Sequence, residues 1–111
     1  MSTAQQISLG NLAINKDSFE VRIGQRLVYL NRVEFDLLEF LALNRGKIMK
    51  VPVITKNIWH RSGIASASTV RIHIYRLRRK LKGSKPWQIK NVRTRGYGLI
   101  ETPGELRSRA G

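Results

Sequence analysis

Apolar and polar positions alternate in short runs from residue 7 to residue 30. Ile7-Ser-Leu9 and Leu12-Ala-Ile14 flank Gly10-Asn11, and Asn15-Lys-Asp-Ser18 is a turn cluster. Phe19-Glu-Val-Arg-Ile23 has the period of two of a half-buried strand, and Gly24-Gln25 turns it into Arg26-Leu-Val-Tyr-Leu30. These runs predict a small antiparallel meander. The period then changes. Asn31 and Glu34 have the spacing of a helix cap and its third-position acid, and Val33, Leu37, Phe40, Leu41 and Asn44 fall on one helical stripe that Phe35 and Leu38 widen. Glu34, Asp36 and Glu39 lie off that stripe, and Gly46 is placed to end the helix.

Pro52 suits the first turn of a second helix, which carries Ile54, Ile58 and then Trp59. Ser62-Gly-Ile-Ala-Ser-Ala-Ser68 is an uncharged connector in which Ser66 or Ser68 can cap the next helix. That third helix is expected from Ala67 or Thr69 to Lys82, with Val70, Ile74, Leu77 and Leu81 as one narrow apolar stripe. Arg71, Arg76, Arg78, Arg79, Lys80 and Lys82 surround that stripe. After Gly83-Ser-Lys-Pro86, residues 87–101 read as a hairpin turning at Arg93-Thr-Arg-Gly96. Residues 1–6 and 103–111 are expected to be flexible ends of a single domain over 7–102.

Charge sharpens this outline. The 111 residues carry a net +14, yet residues 1–45 hold five basic and five acidic side chains, and residues 101–111 hold two of each. Residues 46–100 hold fourteen basic residues and no acid, where average usage would place roughly six or seven acids. One-signed charge on this scale points to an anionic partner, nucleic acid first and an acidic membrane surface second. A membrane-surface protein would need apolar side chains free to insert, but the stripe here is needed for the core. An RNA-binding or ribosome-associated protein would share the composition, but would favour stacking aromatics on its sheet. The chain has no cysteine, which excludes disulfides and thiolate sites and suits a cytoplasmic setting. His60 and His73 find no third ligand, and the basic block offers no paired carboxylate or phosphate-cradling glycine loop. Neither an enzyme nor a bound cofactor or metal is expected.

A basic helix anchored by one apolar stripe can lie in a major groove, and a hairpin tipped by arginines can reach the adjoining minor groove. The two motifs Thr69-Val-Arg-Ile-His-Ile-Tyr-Arg-Leu-Arg-Arg-Lys-Leu81 and Val92-Arg-Thr-Arg-Gly-Tyr97 occur in that order. Together with Leu30-Asn-Arg-Val-Glu-Phe-Asp-Leu-Leu38 and Ile58-Trp59 upstream, they resemble the effector domain of OmpR/PhoB-family response regulators of bacterial two-component systems. The resemblance implies an α+β fold: a winged helix-turn-helix with an N-terminal four-stranded antiparallel sheet, three helices and a C-terminal β-hairpin wing. It implies sequence-specific binding of double-stranded DNA, with Thr69, Ile72, Arg76 and the wing arginine Arg93 facing bases. Lys50, Trp59, Ser68, Arg71, His73, Tyr75, Arg79, Lys80, Arg95 and Tyr97 are the expected backbone contacts, Tyr97 and Trp59 having packing as their other reading.

The chain departs from the family pattern in four places. Arg71 stands where an acid is usual and Tyr75 where arginine is frequent. Val51 stands where the second helix often begins with arginine, with Lys50 a substitute, and Thr94 stands where the wing usually has glycine. With only six residues ahead of residue 7, no receiver domain is expected within this sequence. The expected origins are therefore an excised effector domain, a stand-alone regulator, or the cytoplasmic head of a membrane-tethered activator. The domain is expected to be a monomer in the absence of DNA, to occupy tandem sites, to meet RNA polymerase through the 60–68 connector, and to make no membrane contact itself.

Overall fold

The computed structural model describes residues 6–59 and 66–102. The chain ends at 1–5 and 103–111, and most of the expected polymerase-contacting connector, lie outside the described residues. Four strands, β1 (Gln6–Leu9), β2 (Leu12–Asn15), β3 (Glu20–Ile23) and β4 (Arg26–Val28), form an antiparallel sheet in chain order. The helices α1 (Arg32–Leu43), α2 (Val51–Ile58) and α3 (Ala67–Lys80) come next, and β5 (Trp87–Val92) pairs with β6 (Gly96–Glu101) as the hairpin. This is the winged-helix architecture implied by the motifs.

Alternation places each strand. The row Ile7, Ile14, Val21 and Val28 lies in register across the sheet, and its last three members are buried, as are Leu12 and Ile23, which pair in a second row. Phe35, Leu37, Leu38 and Leu41 of α1, Ile54 of α2 and Val70, Ile74 and Leu77 of α3 join them in one core with Ile89 and Leu99 of the wing. Full burial of each such side chain is worth roughly 1.5–3 kcal/mol. Leu81, just past the end of α3, is also buried, so the stripe read from sequence is the anchored side of that helix.

One expectation beside α1 is corrected. Phe19 is not a strand residue. Asn15 Oδ1 accepts from the N–H groups of Asp17 and Ser18, and the chain leaves this turn with Phe19 at φ +58°. Its ring then stands edge-on to Phe35 with centroids 5.1 Å apart, beneath the guanidinium of Arg32. Glu34 lies off the apolar stripe but is not solvated, being only 1% exposed. It completes a capping box, accepting from the Asn31 N–H at 3.0 Å while Asn31 Oδ1 accepts from the Glu34 N–H at 2.8 Å. The carboxylate also receives the Lys80 ammonium from α3, and this pairing makes burial of the charge tolerable.

The sheet also braces the loop between α3 and the wing. The Asn11 N–H donates to the Lys85 carbonyl at 3.0 Å, the Lys85 N–H donates to Asn11 Oδ1 at 2.7 Å, and Arg26 Nη2 donates to the Lys82 carbonyl at 2.6 Å. The exit of α3 and the entry to β5 are thus tied to the β1–β2 turn and to β4. The segment joining α1 to α2 braces the hairpin from the other side. Met49 and Tyr97 exchange both backbone hydrogen bonds, at 2.7 and 3.0 Å, and the Gly46 N–H donates to the Leu99 carbonyl at 2.9 Å.

Candidate nucleic-acid interface

The side of α3 opposite its buried stripe is the centre of the site. Ser66 caps the helix, its hydroxyl accepting from the Thr69 N–H at 3.2 Å. With the stripe of Val70, Ile74 and Leu77 fixed inward, the 3.6-residue period turns Ser68, Ile72, Tyr75, Arg76 and Arg79 outward. All five are exposed, Ile72 at 46% and Tyr75 at 59%. An exposed isoleucine and tyrosine between arginines gain nothing from water, and suit a surface that is covered in use. Arg79 lies over the Tyr75 ring, 5.8 Å from its centroid, which holds both side chains on the outer face. Thr69 is half-buried at the edge of that face, so its reach is shorter than that of Ile72 or Arg76.

Arg71 leaves the helix on the flank facing the wing. It lines a cleft of about 750 Å³ together with Lys50, Val51, Asn91, Thr94 and Arg95. Lys50 is the N-cap of α2 and makes no side-chain capping bond. Three cations from three elements therefore share one cleft. Among the described residues, no carboxylate pairs with any of them or with Arg76, Arg78 or Arg79. Arg93 is exposed at the hairpin tip but does not line this cleft, which separates the two wing arginines by direction.

The tip itself departs from an unstrained turn. The Arg95 N–H donates to the Val92 carbonyl at 2.9 Å, and Thr94, the third residue of that turn, has φ +64°. That conformation favours glycine and is unfavourable for a β-branched side chain. Thr94→Gly is therefore expected to raise stability by about 0.5–1 kcal/mol, relief of strain being partly offset by the larger entropy of glycine in the unfolded chain. A thermal melt checks this, and a lower melting temperature would mean that the threonine side chain stabilises the tip by contacts of its own.

On the opposite flank of α3, His73 and Trp59 stand edge to face with ring centroids 5.3 Å apart. His73 Nδ1 lies 2.8 Å from the Thr69 carbonyl, which only accepts, so Nδ1 carries the proton and Nε2 is the nitrogen left for any other partner. Trp59 is half-buried against the core. Tyr97 is 8% exposed, so packing is its principal role. The motif puts Lys80 on the phosphate backbone, but its ammonium lies 2.7 Å from Glu34 Oε1.

Residues 24–99 match the family model described as "Transcriptional regulatory protein, C terminal". The chain belongs to this family of OmpR/PhoB-type domains. It is 34% identical over 94 residues to the transcriptional regulatory protein VxrB of Vibrio cholerae serotype O1, a match covering 85% of this chain and 37% of VxrB. Among solved structures, it resembles the Klebsiella pneumoniae RstA DNA-binding domain in complex with the RstA box. That likeness has a TM-score of 0.73 and 34% identity, and covers 86% of this chain and 97% of that one. It also resembles the Thermotoga maritima response regulator DrrB, described as an OmpR/PhoB homolog, with a TM-score of 0.76 at 26% identity over 86% of this chain and 44% of that one. The chain spans well under half the length of the curated relatives it matches.

Two features of this OmpR/PhoB-type domain escape the sequence pattern. The Glu34–Lys80 pair joins residues 46 positions apart, and its only local sign is an acid at the third position of a capped helix. The bridge from Met49 to Tyr97 has a clearer sign, since Gly96 and Gly98 sit two apart in one strand and thus on one face. Glycines so placed mark a close approach of another backbone.

Proposed function

We propose that this domain recognises a short duplex DNA site as part of a bacterial transcription regulator, with α3 in the major groove and the β5–β6 tip at the minor groove. The observation that carries the reading is the outer face of α3, where Ile72, Tyr75, Arg76 and Arg79 are exposed together and no acid among the described residues pairs with its arginines. Arg76 and Ile72 are the base readers, through a guanine edge and a thymine methyl. Ser68, Tyr75 and Arg79 flank them, and Lys50, Arg71 and Arg95 hold the phosphates that run along the cleft. His73 and Trp59 meet the backbone on the far side, and Arg93 enters the minor groove. That RstA is solved with its box supports duplex DNA as the partner.

The finer assignments rest on the family likeness. The domain works in the cytoplasm as a monomer that pairs on tandem sites, and segment 60–68 is its surface for RNA polymerase. Sedimentation without DNA tests the first, a stable dimer being the contrary result.

About six phosphate contacts are expected, so affinity for duplex should fall by about a thousandfold between 50 and 200 mM salt. Anisotropy titrations of a labelled duplex at several salt concentrations measure this. A flat titration, or a preference for single-stranded RNA at matched salt, would overturn the reading.

A further inference from the structure

Glu34 lies in the first turn of α1 and Lys80 is the last residue of α3, and the two pair between the helices. The carboxylate is 1% exposed, and its Oε1 accepts from both the Asn31 N–H, at 3.0 Å, and the Lys80 ammonium, at 2.7 Å. The Lys80 side chain keeps 42% of its surface open although its ammonium pairs with this buried carboxylate. By position Lys80 belongs with the DNA-facing set. It is one turn beyond Arg76, displaced about 40° around the helix, and it lines a shallow depression with Arg76 and Arg79. A lysine there would ordinarily be one more phosphate contact.

We infer that Glu34 is a positioning residue for DNA recognition, which withholds Lys80 from phosphate and so limits the sequence-independent affinity of α3. A lysine already neutralised by an internal carboxylate releases no counterion when the domain binds, and nonspecific affinity tracks the number of phosphates neutralised. A regulator depends on the ratio of specific to nonspecific binding, because competing sites vastly outnumber the target. Glu34 also ties the C-terminal turn of α3 to the capped N-terminus of α1. The same carboxylate therefore fixes the C-terminal end of the helix that carries the base readers.

The inference rests on the proposed groove placement of α3. Its test is a set of salt titrations on a random-sequence duplex and on the selected site, for the wild-type domain, Glu34→Gln and Lys80→Gln, each with a thermal melt. Glutamine at position 34 keeps an acceptor for the Asn31 N–H but removes the charge. Glu34→Gln is expected to steepen the dependence of log K on log salt by about 0.9, so that affinity for random duplex falls about threefold more between 50 and 200 mM. It should bind random duplex more tightly at low salt and gain less on the selected site. Lys80→Gln is expected to leave the wild-type slope unchanged. A slope about 0.9 shallower in Lys80→Gln would place the lysine on phosphate and overturn the inference, as would an unchanged slope in a folded Glu34→Gln. If Glu34→Gln does not fold, Lys80→Gln decides alone by the same slope. Both contrary results leave the wild-type titration steep, whereas a flat wild-type titration would overturn the groove placement itself.

Discussion

Gly96→Ala is expected to destabilise the domain by about 3 kcal/mol, a sum of left-handed backbone strain and overpacking. A domain of this size should then melt about 10 °C lower or worse. Gly96 has φ +141°, and a Cβ built on it would stand 1.9 Å from the Met49 carbonyl oxygen and 2.8 Å from the carbonyl carbon. Those atoms are backbone and cannot swing aside. They are also the partners that hold the hairpin, since the Tyr97 N–H donates to that same oxygen at 3.0 Å. Relief of the clash therefore means losing the bridge. Gly24→Ala is the control: Gly24 has φ +63° but nothing within 4 Å of its Cβ, so only the conformational cost of about 1 kcal/mol remains. Paired melts of the two variants separate the contributions. Equal losses would mean that the approach of residues 47–49 to β6 contributes nothing to stability.

A loosened hairpin would also alter DNA binding. The Met49–Tyr97 bridge sets where Arg95 and Thr94 stand relative to Lys50 and Arg71, because all four line one cleft. A wing detached from that bridge keeps its charges but loses their spacing. Gly96→Ala should accordingly lose preference for the selected site before it loses salt-dependent binding to random duplex. The two readouts come from the same titrations.

Local pattern carried most of the architecture. The alternation of Val21 and Ile23, the stripe of Val70, Ile74, Leu77 and Leu81, and the Asn31–Glu34 cap each depend on neighbours within a few residues, and each lies in the structure where its period puts it. The features that pattern did not reveal depend on distant partners. Glu34 looks like a solvated acid until α3 is folded over it, because a side chain off an apolar stripe is ordinarily wet. Phe19 fits the alternation of β3, but the Asn15 turn carries it out of the strand and onto Phe35. The cleft that gathers Lys50, Arg71 and Arg95 brings residues from three elements to one place, and no one-dimensional pattern records that distance. The outward-facing residues of α3 were legible because a single helix carries them, and the cations of the cleft were legible only as charge.

Arg76→Ala is expected to cost about 1–3 kcal/mol in binding to the selected site, and to relax preference at one base position. Arg76 is exposed on the outer face of α3, two residues past the buried Ile74 and one before the buried Leu77, so the helix axis cannot rotate to hide it. Among the described residues, no carboxylate competes for its guanidinium. A guanidinium projecting from the middle of a groove-bound helix can donate two parallel bonds to guanine O6 and N7, a pairing that no other base edge in the major groove offers with the same geometry. Arg76→Lys should keep the charge and most of the binding to random duplex, but recover little of the discrimination, since an ammonium lacks the planar fork. Arg71→Ala is the contrasting variant. Its side chain lines the cleft toward the wing, away from the face of Ile72 and Arg76. Its loss should weaken all sequences alike and make the salt slope shallower by about 0.9. Selection of each variant on a randomised duplex pool, with salt titration on the enriched site, measures both effects. Uniform weakening by Arg76→Ala, with the enriched sequence unchanged, would make that arginine a phosphate contact and shift base reading toward Ile72 and Thr69.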